Sequence, residues 1–552
     1  MIKAINWIKE NTFLTVVLLC CFGFGIFYLA EMIKWIPYPN QIDYGEGYIA
    51  YINNMWVNGT WKWDMSIPPY IPLMYGVGMP FIAYPFIQIF GNEFWIGRII
   101  MVCSALVICF ILYLIVKKAT GKTVYGIIAG LLPLTQPIIR DWSLMYRVDM
   151  LAVMFSFIGF YLAIKYRSNK YIYLSIIPFV IAIFTKPTAI AGIVAIGIYL
   201  LIYNRKVFLK YMAISIVAGS SIFGILQLIS NGNYIHHILT FAKTIDIFWN
   251  AATLITNLSI VLLPLAIILA IAFGKIVNII RKRDFNELNV LFVLYLFAAI
   301  LFNFSTGLRP GGFINYYIEF IIGICLCAAI ALPAIIDRAQ SDYKNTGKVF
   351  KSGFMVLVLL ASLCTICLKS SFPFPNDKYT EEVKVVNELI KDTDRPIITE
   401  NPGLVSNAGK ELYAEFFTIT NGAELGNWDD TNYVNDFRNS YFDFIILRVP
   451  TYKRVNGDLH FKKEIIDLIN KNYTLIYEPT ENFYWYGLYV YKSNNTMVET
   501  DIVQVNGFEI TTDESLLSYT SDLSERYDRN AGNFFTFFAE YVKIKVMRVI
   551  EQ

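Results

Sequence analysis

The chain has 552 residues, of which 56% are hydrophobic and only 16% charged. Soluble domains carry about 25% charged residues, so this composition is that of an integral membrane protein. The formal net charge of +3 is too small to imply nucleic acid as a partner.

A helix needs about 20 apolar residues to cross a hydrocarbon core of ~30 Å, and runs of this kind recur from Thr12 to Leu368. They predict about eleven spans, near 12–30, 94–116, 123–139, 148–164, 171–186, 188–203, 208–229, 252–274, 288–304, 316–336 and 349–368. Lys3 and Lys9 precede the first run, and no small-residue cleavage site follows it, so the first span is expected to be retained. The later clusters (Lys117, Lys118 and Lys122; Lys165, Arg167 and Lys170; Arg205, Lys206 and Lys210; Lys275 to Arg283; Arg338 to Lys351) fall on alternate connections. Basic loops stay on the cytoplasmic side, so the expected location is the cell membrane, with the N-terminus cytoplasmic. The stretch Pro68–Gly91 contains Pro72, Pro80 and Pro85. Prolines break helices, and a span here would invert the charge rule, so a juxtamembrane or re-entrant segment on the outer face is expected.

The fold class expected is a polytopic α-helical membrane protein with a C-terminal extracytoplasmic α/β domain. Residues 1–370 form the membrane part, with a long outer loop over 31–93. Residues 371–495 alternate helical patterns, near 379–391 and 461–471, with strand-like runs at Pro396–Thr399, Phe442–Val449, Tyr473–Tyr477 and Gly487–Tyr491. Residues 496–552 form an extension whose aromatic and basic end, 533–550, suits a membrane surface.

The polar part has no cysteine, and the whole chain has three histidines, which argues against a thiolate or histidine metal centre. The run Gly403 to Lys410 imitates a phosphate loop, but it has one residue too many between its glycines, and Glu411 follows where Ser or Thr should stand. His236 and His237 are expected to be solvated in a loop.

Charges near membrane depth are costly and mark functional sites. On the expected outer side they are Asp43 and Glu46 in Asp43-Tyr44-Gly45-Glu46-Gly47-Tyr48, Arg140, Asp141, Arg147 and Asp149 before the fourth span, Lys186 in Thr185-Lys186-Pro187, and Arg309 and Glu319 around the tenth span's start. This set suits sugar transfer from a lipid phosphate. A carboxylate takes the proton of an incoming hydroxyl, and cations neutralise the departing phosphate, so no metal or other cofactor is called for. On spacing alone, the alternative is that Asp43 only caps a helix while Glu46 pairs with Arg147 or Lys186. Arg98 is expected to be an interfacial anchor. Trp61 and Trp63 are expected in an interfacial belt, with stacking on a sugar as the alternative.

Asp43 to Tyr48, the Pro68-Pro69 segment, Phe90 to Arg98, Tyr146 to Leu151, Thr185 to Ala189 and Asn315 to Glu319 resemble, in order over about residues 1–370, membrane glycosyltransferases of the GT-C superfamily in the family 39 style, such as protein mannosyltransferases and the aminoarabinose transferase of lipid A. The resemblance implies a polyprenyl-phosphate sugar donor, a glycan, lipid or protein acceptor, contact with membrane lipid, an outer-face site and an inverting single displacement. By position Asp43 would be the base and Glu46 a neighbouring acid that positions base or acceptor. Arg147, Lys186 and Arg309 would bind the phosphate, and Asp149 and Glu319 would support them. Many relatives carry adjacent acids in this loop, whereas Tyr44 and Gly45 separate Asp43 from Glu46, which leaves the choice of base open. The competing expectation is a transporter or flippase of lipid-linked glycans, which usually shows repeated halves; no repeat is visible. A membrane-anchored sensor would not need acids and bases from some five connections. With no endoplasmic-reticulum retention signal, a bacterial or archaeal cell envelope is expected.

Overall fold

The structure is a computed structural model describing residues 2–239, 247–307, 312–347, 349, 351–454, 458, 460–479 and 487–496. Among these, seven helices are long and apolar enough to cross a membrane: Thr12–Trp35, Phe94–Thr120, Asp149–Tyr166, Arg205–Ile229, Ile255–Lys282, Glu287–Gly307 and Ile314–Thr346. Shorter apolar helices cover Gly78–Phe90, Thr123–Thr135, Lys170–Thr185, Ala191–Tyr203 and Lys351–Thr365. Each predicted run is helical over most of its length, because twenty apolar residues in lipid can satisfy their backbone only within a helix. The helices pack unequally. In the most hydrophobic stretch of Ile314–Thr346 72% of residues are buried, against 6% in Arg205–Ile229, so the former is central and the latter peripheral.

Helix ends follow local chemistry. Phe94–Thr120 stops at Gly121, whose φ of 71° is strained for any side chain but free for glycine. Ile176–Thr185 stops before Pro187, which clashes with a helical predecessor; Lys186 is extended, at φ −147° and ψ 112°. The prolines of 68–91 do not abolish helix, contrary to expectation. Gly78–Phe90 is helical with Pro85 inside it, because Pro80 lies in the first turn, where N–H groups have no intrahelical partner.

The C-terminal part contains a four-stranded sheet of β1 (Ile397–Thr399), β2 (Phe444–Leu447), β3 (Tyr473–Tyr477) and β4 (Tyr489–Ser493), in spatial order β1-β2-β4-β3. β1 and β2 are parallel, while β4 runs antiparallel to both its neighbours. All four strands lie within or overlap the expected runs. Helices Asp377–Ile390 and Lys463–Asn472 also fall where the pattern placed them, but Phe416–Glu424 and Thr431–Arg438 were not foreseen. The expected C-terminal extension lies, from residue 497, outside the described residues.

This α/β part rests on the segment that follows the first long helix. Tyr70 joins it like an added strand residue: its N–H donates to Tyr413 O at 2.8 Å, and its carbonyl accepts from Glu415 N–H at 3.0 Å. Gly403 N–H donates to Gln41 Oε1 at 2.7 Å, so the false phosphate loop is a docking contact. Tyr44 O–H donates to buried Glu415, and Arg448 lies over the Tyr44 ring, 5.3 Å from its centre. Burial holds the Glu415 carboxyl above its usual range. Glu400 is held well below its own: burial opposes ionisation, but Arg454 at 2.6 Å and His460 outweigh it.

Candidate active site

Asp43 is the cap of helix Tyr44–Val57. Its backbone is extended, and its carboxylate accepts from Gly45 N–H at 3.0 Å, satisfying one of the donors that a helix start leaves open. The same Oδ2 lies 2.7 Å from Arg147 Nη1, with side chains 16% and 14% exposed. A Cβ at residue 45 would lie 1.1 Å from that Nη1; glycine here is the space the guanidinium occupies. Asp43 thus caps and also faces a cation.

From Arg147 the network runs inward. Its Nη2 donates to Tyr75 O–H at 3.2 Å, and its Nε is 3.8 Å from Asp149 Oδ2. Asp149 opens the helix Asp149–Tyr166, where the helix dipole favours a negative charge. It is 1% exposed and accepts from Lys186 Nζ at 2.5 Å and Asn315 Nδ2 at 2.8 Å. Lys186 also lies 4.3 Å from the centre of the Tyr316 ring. Extended by Pro187, it leaves its helix end pointing at Asp149. Asp43, Arg147, Asp149 and Lys186, from three distant stretches, therefore form one chain of charges. Tyr75, Asn315 and Tyr316 join it. Asn315 and Tyr316 belong to a run quoted for its resemblance, whereas nothing in the sequence singled out Tyr75.

Glu46 lies elsewhere. It is fully buried and accepts from Arg98 Nε and Nη2 at 2.8 Å each, from Tyr146 N–H at 2.7 Å and from Ile42 N–H at 2.5 Å. Its partner is thus neither Arg147 nor Lys186. Arg98 is no interfacial anchor: it is 0% exposed and also donates to the carbonyls of Trp35, Tyr38 and Asn40. The carboxylate brought to it by the first turn of the helix Tyr44–Val57 keeps this arginine inside. Glu319 is buried and accepts from Ser156 Oγ at 2.7 Å. Arg309 lies outside the described residues. Among the described residues no three His, Cys, Asp or Glu side chains are grouped as a metal would require.

His237 is not solvated. It is 1% exposed; its Nδ1 accepts from Leu73 N–H at 2.9 Å, which leaves Nε2 to donate to Trp63 O at 2.9 Å. Burial pulls its pKa down to about 4. Its hydrophobic neighbours are brought together from separate segments, which the local sequence does not reveal.

A Gly-rich acidic loop thus caps a helix over a buried row of alternating charges, inside a multi-helix bundle that carries an α/β part. Residues 75–229 match the family model described as dolichyl-phosphate-mannose-protein mannosyltransferase; the match includes Arg147, Asp149 and Lys186 and begins after Asp43. The chain is similar in structure to ArnT from Cupriavidus metallidurans in its apo state, at 12% identity and a TM-score of 0.56 over 85% of this chain and 97% of that one. It is also similar to the same protein bound to undecaprenyl phosphate (13%, TM-score 0.54, 88% and 99% covered). A third similarity is to the oligosaccharyltransferase AglB from Archaeoglobus fulgidus in complex with an inhibitory peptide and a dolichol-phosphate (11%, TM-score 0.53, 90% and 76% covered). No curated protein matches the chain in sequence. The chain therefore has the GT-C fold.

Proposed function

We propose that the protein transfers a sugar from a polyprenyl-phosphate donor to an acceptor at the extracytoplasmic face of a cell membrane, by inverting single displacement with Asp43 as base. The observation that carries this reading is the contact of partly exposed Asp43 with Arg147 at 2.7 Å, the outer link of a row of charges that runs to the buried Asp149–Lys186 pair. The undecaprenyl phosphate in one structural relative and the dolichol-phosphate in another support the donor class.

The described site holds two acids and two bases, so its charges balance before a donor arrives. A phosphate brings new negative charge and competes with Asp43 for Arg147. As Arg147 turns to the phosphate, the Asp43 carboxylate is released from the ion pair and takes the proton of the acceptor hydroxyl. The hydroxyl oxygen bonds to the anomeric carbon while the bond to phosphate breaks. Arg147 and Lys186 hold the departing phosphate, and Asp149 fixes both cations between turnovers. Glu46, with four donors on its carboxylate, has no room for a proton in flight and serves to position the Asp43 helix through Arg98.

The test is label transfer from a radiolabelled polyprenyl-phosphate sugar to endogenous acceptor in membranes containing the protein. Wild type should transfer, and Asp43→Asn should bind donor without transfer. Movement of a fluorescent lipid-linked sugar across liposomes with no transfer would replace this reading by a flippase.

A further inference from the structure

A cleft of about 300 Å³ that Asp43 does not line opens where three stretches meet: the 63–66 segment, Asn233 with the start of the helix Tyr234–Leu239, and the 427–432 segment of the α/β part. Trp63, Asp64, Asn233, Trp428, Asp429 and Asn432 line it. Both indoles are fixed. Trp428 donates from Nε1 to Met65 O at 2.8 Å, and its ring packs against Tyr70, with centres 5.1 Å apart. The Trp63 ring meets Trp56, Trp61 and Tyr234, and its carbonyl accepts from buried His237, which also takes the Leu73 N–H. Side chains already held need lose little freedom when a ligand arrives.

The chemistry of the lining is selective. An indole offers a flat apolar plate to the C–H face of a sugar ring, while amide and carboxylate groups exchange hydrogen bonds with neighbouring hydroxyls. No lysine or arginine is among the lining residues, His236 is their one basic side chain, and the two aspartates repel a second anion. The geometry points to a subsite for a neutral or amino-bearing sugar ring of the acceptor, which makes the acceptor a glycan chain. This rests on the transferase reading. Ser66 at the cleft and Tyr75, whose hydroxyl touches Arg147 at 3.2 Å, belong to one continuous segment. Its nine steps span at most ~30 Å, within reach of an oligosaccharide lying along it.

The experiment applies the purified full-length protein to a printed array of neutral, amino-bearing and uronic-acid oligosaccharides. Neutral or amino-bearing oligomers should be captured, and Trp428→Ala should lose at least ~10-fold of the signal. Asn432→Ala and Asp64→Asn, both on the exposed rim, should lose signal without disturbing packing, so the test survives misfolding of Trp428→Ala. Capture of nothing by wild type, preference for uronic acids, or undiminished capture by the two rim variants would overturn the subsite. Array capture needs no donor, so Asp43→Asn should be captured like wild type. A wild type that transfers sugar yet captures no glycan would sink the subsite alone, and one that captures glycans but transfers nothing would sink the transferase reading.

Discussion

Replacing Asp43 with asparagine removes a charge at nearly constant shape. The amide oxygen of the new side chain can still accept from Gly45 N–H, so the helix cap survives. A positioned base contributes ~10²–10⁴-fold in rate, so turnover should fall by that factor, about 3–5 kcal/mol of barrier. Donor binding should move the other way. A hydrogen bond between charged groups contributes about 1.5–3 kcal/mol, and part of that now holds Arg147 on Asp43 at 2.7 Å. Without the carboxylate the phosphate no longer competes for the guanidinium, and donor affinity should stay level or rise by up to ~10-fold. Label transfer gives the rate, and quenching of tryptophan fluorescence by a non-transferable polyprenyl phosphate gives the affinity. A variant that transfers within about threefold of wild type, or that loses donor binding, refutes the assignment of Asp43 as base and competitor.

Glu46→Gln should chiefly destabilise: one face of the carboxylate would present an amide N–H to donors, and Arg98 would be left buried without its counter-charge. That costs about 3–5 kcal/mol, visible as a fall in thermal midpoint of about 3–4 °C for a chain of this length, whereas Asp43→Asn should shift it little. Gly45→Ala should displace Arg147 and weaken donor affinity by ~10-fold or more, with the midpoint much less affected; unchanged affinity would deny the close approach. His237 is held neutral in the folded protein, at about 4 against an ordinary 6.5, so the unfolded chain binds the extra proton between those values. Its contribution is complete above about pH 6.5 and is lost as pH falls towards 4, about 3 kcal/mol in all. Thermal midpoints of wild type should drop over that window more steeply than those of His237→Gln.

Much of the architecture was legible in the residue order. Apolar runs of span length became helices because lipid leaves the backbone no other way to satisfy its polar groups. Period-two runs became strands, and Pro187 ended the helix that delivers Lys186. Asp43, Arg147, Asp149 and Lys186 could be singled out one at a time, since ionised groups near lipid depth are costly and stand out as candidates.

Which of them meet was decided only by packing. Glu46 and Asp43 are three residues apart, yet one is sealed against Arg98 and the other faces Arg147, because the helix begins between them and turns its first residues to different neighbours. The same assembly buried His237, brought Tyr75 to the site and set Trp63 beside the cleft that Trp428 also lines. Residue order limits what each segment can bury; the partner of a buried charge is whichever opposite charge the fold carries to within hydrogen-bond reach, and that distance exists only in three dimensions.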